Sequence, residues 1–177
     1  TAPGKAYMLL WDHPNATPWG RRQKSKLRRQ LRTLLQNPDT KVVGQNLKFD
    51  TVWVNTHVGF RYRIGGDTLM LAALLDENSM DKNQDSLVKL YVPAMAGYDE
   101  AFNSKYDKSR MQDVPIDELL SYGCGDVDSC IRLYDVLRKK VKKDATLFNH
   151  YARVSLPGLN AFVPIESQGL IIDGEEL

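Results

Sequence analysis

Apolar positions in this chain come in short bursts separated by proline, glycine and charged stretches, and the bursts change period along the sequence. Residues 6–11 (AYMLLW), bounded by Gly4 and Pro14, read as a strand. Leu27, Leu31, Leu34 and Leu35 recur at helical spacing, and this helix stops near Asn37-Pro38, because a proline disfavours helical backbone just before it. Lys41-Val42-Val43-Gly44 reads as a second strand, β-branched and then broken by glycine. From Asn46 to about His57 the period is helical again, ended by Gly59 or Gly65-Gly66. Asp67 opens a helix through Leu75, residues 85–91 form another ended by Pro93, and residues 97–114 show no clear period. Pro115 starts a long helix from Ile116 to about Lys143. Leu159, Phe162 and Val163, with Glu166 facing out, mark a further apolar period. Strands alternating with helices predict an α/β fold with a mostly parallel or mixed sheet.

The 177 residues, 42% hydrophobic, suffice for one globular domain with a real core. The longest apolar run, residues 69–75, is far below the ~20 residues of a membrane span, and no basic-then-apolar leader is visible. Cys124 and Cys130 lie six apart in a helical pattern, which excludes a disulfide scaffold and a cysteine-rich zinc site. A reducing, cytosolic setting is the expectation. Lys plus Arg number 24 against 22 Asp plus Glu, so total charge names no partner. Its distribution says more. Arg21, Arg22, Lys24, Lys26, Arg28, Arg29 and Arg32 crowd one amphipathic helix without an acid, a face that suits either phosphate or plain solvent. Thr1 leads almost at once into a strand and Leu177 falls just inside a helix starting at Asp173, so the chain reads as a fragment cut at both ends.

The long helix carries the first candidate chemistry. Leu119, Tyr122, Asp126, Cys130, Leu133 and Leu137 step by three or four and form one stripe. All suit a buried or half-buried face except Asp126, whose carboxylate there must be paired, hydrogen-bonded or metal-bound. Tyr122 stands one turn earlier, able to reach whatever Asp126 holds. Gly123 and Gly125 flank them, at about 1 kcal/mol each relative to alanine in a helix, which predicts close approach of a backbone or ligand. A salt-bridged Asp in a glycine-softened helix is the plainer alternative. Gly44-Gln45-Asn46-Leu47-Lys48-Phe49-Asp50 lies where a strand ends and a helix begins, a usual place for ligands in α/β sheets. Asn46 and Asp50 share a face with Trp53 and His57. Here too a plainer reading stands, with Asn46 as N-cap and Asp50 favourable in the first turn. Together, carboxylates converging from separate helices suit magnesium or manganese. Two such ions about 4 Å apart support phosphodiester cleavage, but that site needs more carboxylates than these two.

The stretch from Val43 to Asp50 (VGQNLKFD) resembles the second motif of the 3′–5′ proofreading exonuclease domain in family A DNA polymerases, and Tyr122-Gly123-Cys124-Gly125-Asp126 resembles its third motif of the tyrosine type. Asp67-Thr68-Leu69-Met70-Leu71-Ala72 and Asp85-Ser86-Leu87-Val88-Lys89-Leu90-Tyr91 fit the intervening helices. Residues 164–173 (PIESQGLIID) look like the entry into the polymerase part. The resemblance implies a ribonuclease H-like exonuclease fold, a mixed sheet flanked by helices and here lacking its first strands. It makes residues 1–150 the exonuclease domain and residues 151–177 the start of the polymerase domain. It assigns Asp50 and Asp126 to a two-metal site holding Mg2+ or Mn2+, Tyr122 to orienting the attacking water, and Asn46 and Phe49 to the 3′-terminal nucleotides of single-stranded DNA. The partners implied are that DNA 3′ end and the polymerase domain of the same parent chain, in a bacterial or phage-infected cytoplasm. The product would be nucleoside monophosphates.

Ser121 stands where the histidine variant of the third motif would need His, so the tyrosine variant is the one matched. Two departures qualify the resemblance. Phe49 replaces a frequent tyrosine. More seriously, no Asp-x-Glu precedes Val42, where only Asp12 and Asp39 are acidic, and Asp12 has no paired glutamate. The strand at residues 6–11 would match the family's third, which places the first motif upstream of Thr1 and leaves this chain weak or inactive alone. Asp67 and Asp128 match no catalytic position. Rival readings are a ribonuclease D-like RNA exonuclease, a non-catalytic module that holds DNA or braces a polymerase, and a generic α/β domain with coincidental motifs.

Overall fold

The computed structural model describes residues 2–169. Helices dominate it. Helix α1 (Arg21–Leu35) is followed by strand β1 (Val42–Gly44), helix α2 (Leu47–His57), strand β2 (Ile64–Asp67), and helices α3 (Thr68–Leu75) and α4 (Gln84–Tyr91). Short helix α5 (Glu100–Lys105) leads to the long α6 (Ile116–Val141), then α7 (Ala145–His150) and α8 (Leu156–Gln168). Two 3₁₀ turns, Pro93–Met95 and Lys108–Asp113, occupy the aperiodic stretch, and a π turn, Tyr151–Ser155, joins α7 to α8. Pro157, which has no N–H to donate to the carbonyl four residues back, lies two residues past the end of that widened turn.

The sheet of the described residues has two strands, β1 and β2, parallel, with α2 as the crossover. Val43 pairs with Gly66 and Gly44 with Asp67, after an irregularity between Val42 and Val43. Of the two terminators expected for α2, Gly59 (φ 85°) stands just past its end, and the reading of Gly65-Gly66 is corrected. They belong to a strand, and glycine is needed at 66 because a Cβ there would collide with the ring of Tyr134 on α6. The strand therefore lacks the β-branched signature that makes strands legible.

Residues 6–11 are a second correction, because they form no strand. Ala6, Met8 and Leu10 are half-buried while Tyr7 and Leu9 face solvent, the alternation of a strand, but no described segment pairs with their backbone. The segment is held by other contacts. Met8 lies against Gly123 of α6, the Gly4 amide donates to Asp128 Oδ1 at 2.7 Å, and the Trp19 indole donates to the Leu10 carbonyl at 2.7 Å. The expected mixed sheet is accordingly a small parallel one.

The core gathers on the C-terminal half of α6. Leu133, Tyr134, Leu137 and Val141 pack with Leu71 and Ala72 of α3, Leu87 and Val88 of α4, and Tyr151. A second cluster joins Leu47 and Ile64 to Leu159 and Val163 of α8, which lies across α2 and β2. Full burial on α6 starts at Ser129; the half before it is only partly covered, and its Tyr122 and Asp126 line a cleft. No helix of the described residues is long and apolar enough to cross a membrane.

Candidate active site: a carboxylate cleft between α2 and α6

Asp67 positions the first half of the site. Fully buried at the end of β2, it accepts from the Leu47 amide at 2.8 Å through Oδ2 and from the Leu69 and Met70 amides at 2.9 and 3.2 Å through Oδ1. One carboxylate thus caps two helices, α2 and α3, at the point where β1 and β2 end. Burial raises its pKa, opposed by these backbone amides. Asn46 sits at the cap position of α2 but in the left-handed region (φ 52°), and its side chain makes no capping bond. Asn46 is thus the N-cap by position, as the plainer reading has it, but without a side-chain cap bond, and its side-chain amide stays exposed and available.

Asp50, one turn on, stands exposed at the rim of the cleft, yet the protein around it still pushes its carboxyl above the usual range. Desolvation is the main cause, with the charges of Asp67 and Asp126 adding to it against the helix amide that lowers it. Asp126 of α6 lines the same two adjoining recesses, of about 270 and 530 Å³, and Tyr122 lines the larger. The structure thus brings together the three residues singled out for catalysis. Phe49 is 68% exposed on α2 beside them. Trp53 and His57 turn elsewhere, their rings 4.6 Å apart in a separate groove formed with residues 8–13.

The partners of Asp126 are residues the sequence did not reveal. Its Oδ1 accepts from the Tyr98 hydroxyl at 2.6 Å and from the Gln84 amide at 3.1 Å, and Gln84 also donates to the Asp126 carbonyl at 2.9 Å and Ser129 Oγ at 3.0 Å. These bonds hold the carboxylate in one orientation and leave Oδ2 unengaged among the described residues. Burial, and then the bond to Asp126, push the Tyr98 hydroxyl well up, so it stays a donor. Tyr122 instead stacks on Phe102, centroids 4.1 Å apart at 14°, and burial raises its pKa while Lys108 works against that rise. Gly125 is tight against Tyr98, 3.1 Å from a Cβ position to ring Cδ2, and Gly123 against Met8. The glycines make room for side chains of this chain, not for the backbone or ligand their spacing had predicted. Tyr98 and Lys108 fall in the aperiodic stretch, where no spacing signals them; Gln84 is legible only as the first residue of α4 after the capping Asn83.

The other acids near the candidate motifs serve structure. Asp128 accepts from Gly4 and Arg132, and Asp12 is a solvent-exposed residue 3.6 Å from Lys24. Cys124 and Cys130 are free, with burial pushing the Cys130 thiol up to about 12. Among the described residues no three His, Cys, Asp or Glu side chains form a metal-holding group.

A family model described as 3′–5′ exonuclease matches residues 20–142, spanning β1, α2 and α6 and with them every residue of the cleft. This chain belongs to the 3′–5′ exonuclease domain family of DNA polymerase I-type enzymes. It is 27% identical over 164 residues to the DNA polymerase of Escherichia phage T5, covering 83% of this chain and 19% of that protein. It is 26% identical over 152 residues to DNA polymerase I of Pseudomonas aeruginosa, covering 84% of this chain and 17% of the relative. A DNA polymerase I of Borreliella burgdorferi matches at 26% over 142 residues, 77% of this chain and 15% of that one. The chain thus spans less than a fifth of the length of these relatives.

Proposed function

We propose that this chain is the proofreading part of a DNA polymerase, a ribonuclease H-like domain that hydrolyses the 3′-terminal phosphodiester of single-stranded or frayed DNA and releases nucleoside monophosphates. The observation that carries this reading is the convergence of Asp50 and Asp126, from α2 and α6, in one cleft beside Tyr122. Residues 1–150 form the exonuclease domain and residues 151–177 lead into the polymerase. Packing of α8 on α2 and β2 supports a junction built against the exonuclease face, and the stretch from Leu170 to Asp173 lies outside the described residues.

The donor set fits, in part, the divalent ions such a reaction uses. Hard carboxylate oxygens are the right type, and Asp50, crowded by Asp67 and Asp126, gains from a neighbouring cation. Two carboxylates make half of a two-ion centre, so Asp50 and Asp126 would hold Mg2+ or Mn2+ together with a first-motif Asp-x-Glu pair, which does not occur before Val42. When bound, the ions supply Lewis-acid activation of water. The chain's own residues do the rest. Tyr98 and Gln84 fix the Asp126 carboxylate, and Tyr122, protonated and clamped on Phe102, offers a hydroxyl to orient the attacking water. Asn46, free of capping duty, hydrogen-bonds a terminal nucleotide, and Phe49 offers it an exposed ring for stacking. Alone, the 177 residues cleave slowly or not at all.

The test uses the longer polymerase chain with 5′-labelled single-stranded DNA or RNA, in magnesium and then in EDTA. A ladder of shortened DNA that disappears in EDTA supports the reading. Preference for RNA would favour a ribonuclease D-like enzyme, and no cleavage would leave a DNA-holding or bracing module.

A further inference from the structure

The cleft has an electrostatic problem that the residues above do not solve. Its larger recess is lined by four carboxylates, Asp50, Asp85, Asp99 and Asp126, and one cation, Lys108. Asp85 is paired with Lys89 at 3.0 Å, outside the recess, whereas Asp50 and Asp126 have no ion-pair partner among the described residues. A polyanionic strand entering such a recess is repelled unless fixed positive charge meets its phosphates.

Lys108 is placed and held for that task. Its Nζ lies 5.2 Å over the Tyr122 ring, which itself is stacked on Phe102. On its other side Asp99 tethers it. That carboxylate is 3% exposed, and its Oδ2 accepts from Asn103 at 2.6 Å and stands 3.6 Å from Nζ, beyond hydrogen-bond length. Lys105 and Lys48, by contrast, meet their glutamates at 2.5 Å. The ammonium of Lys108 is therefore steered by the charge of Asp99 and the neighbouring Tyr122 without a short bond to the carboxylate, while the buried Oδ1 of Asp99 has no hydrogen-bond partner. Neither Lys105 nor Lys48 lines the recess, and a lysine serving only as the counter-ion of Asp99 would close the gap.

We propose that Lys108 is the phosphate anchor of this site, its ammonium bonding a non-bridging oxygen of the last internucleotide linkage while Asp99 and the Tyr122 face hold it in place. The proposal rests on the reading of the cleft as a site for a nucleic-acid 3′ end, and extends it to a residue outside both motifs. It also gives the aperiodic segment between α5 and α6 a function, that of carrying the cation across to the carboxylates.

The experiment is equilibrium binding of 5′-fluorescein-labelled hexathymidylate to the 177-residue chain in magnesium, followed by anisotropy, with circular dichroism confirming the fold of each variant. Lys108→Gln is expected to weaken binding about tenfold, the size of a charge-assisted hydrogen bond at a half-exposed site. Lys108→Arg is expected to bind within about twofold of the unmodified chain, since the charge and donors return. An oligonucleotide whose last linkage is a neutral methylphosphonate should lose about the same factor with the unmodified chain and nothing further with Lys108→Gln. Independent, multiplying losses would overturn the anchor. If Lys108→Gln fails to fold, the same linkage comparison with Lys108→Arg decides, because an arginine anchor keeps the methylphosphonate penalty and a structural role shows none. Phe49→Ala separates the two levels. Weakened binding by that variant without coupling between Lys108 and the linkage sinks only the anchor, whereas binding indifferent to both Phe49→Ala and Lys108→Gln sinks the strand-binding reading of the cleft as well.

Discussion

Asp50 pays for its position in protonation. Its folded-state pKa lies above the ordinary aspartate value of 3.8, so the folded chain binds more protons than the unfolded one just above that pH. Stability from this group is full below the unfolded pKa and falls as pH rises through the folded one. Asp50→Asn is therefore expected to melt higher than the unmodified chain at pH 7, with the difference vanishing below about pH 3.8, in a pH series of thermal unfolding. A constant difference across that series would contradict the assignment. Asp67 carries the opposite expectation through its side chain. Asp67→Ala removes the cap of α2 and of α3 together, and at about 0.5–2 kcal/mol per cap the loss is about 1–4 kcal/mol by denaturant unfolding. Asp126, Asp50 and Tyr122 were legible in the sequence because each sits in a short motif or helical stripe that breaks a local rule. Asp67 was read only as a helix start, and Tyr98 and Lys108 not at all. Their roles come from a fold that carries residues 98 and 108 back across α6, and no periodicity encodes that return.

Among the elements, α6 and α1 are opposites. α6 buries Ser129, Cys130, Leu133, Tyr134, Leu137 and Val141, while α1 buries no residue and leaves Leu34 57% exposed. Arg21 and Arg22 also sit at the positive end of the α1 dipole, and among the described residues Lys24 alone on this helix has an ion-pair partner, Asp12 at 3.6 Å. Hydrogen exchange should accordingly open α1 well before α6, and equal protection of the two would contradict this packing. At β2 the tight fit of Gly66 under Tyr134 predicts that Gly66→Ala costs about 1–3 kcal/mol in denaturant unfolding. Helices α1, α2, α3, α4 and α6 were legible from their periods to within about two residues, whereas short α5 and α7 were not, because six residues are too few to set a period. Strand β2 was hidden because its middle is two glycines chosen for contact. Residues 6–11 showed the reverse, an alternating pattern without a neighbour to pair with.

At the scale of the whole molecule, a parallel β1–α2–β2 unit and the exposed half of α6 face each other across one cleft, and the rest of the described core holds them there. Asp50 and Asp126, far apart in sequence, are proposed to act as one catalytic unit. Groups that act as a unit lose their effect together, so single and double variants are grossly non-additive. The deciding measurement is the single-turnover rate of 3′-terminal cleavage by the longer polymerase chain and its Asp50→Ala, Asp126→Ala and doubly substituted forms. The structure predicts that each single variant loses at least about a thousandfold and that the double variant loses no more than the worse single. Losses that multiply, or a single variant that cleaves at the unmodified rate, would contradict it.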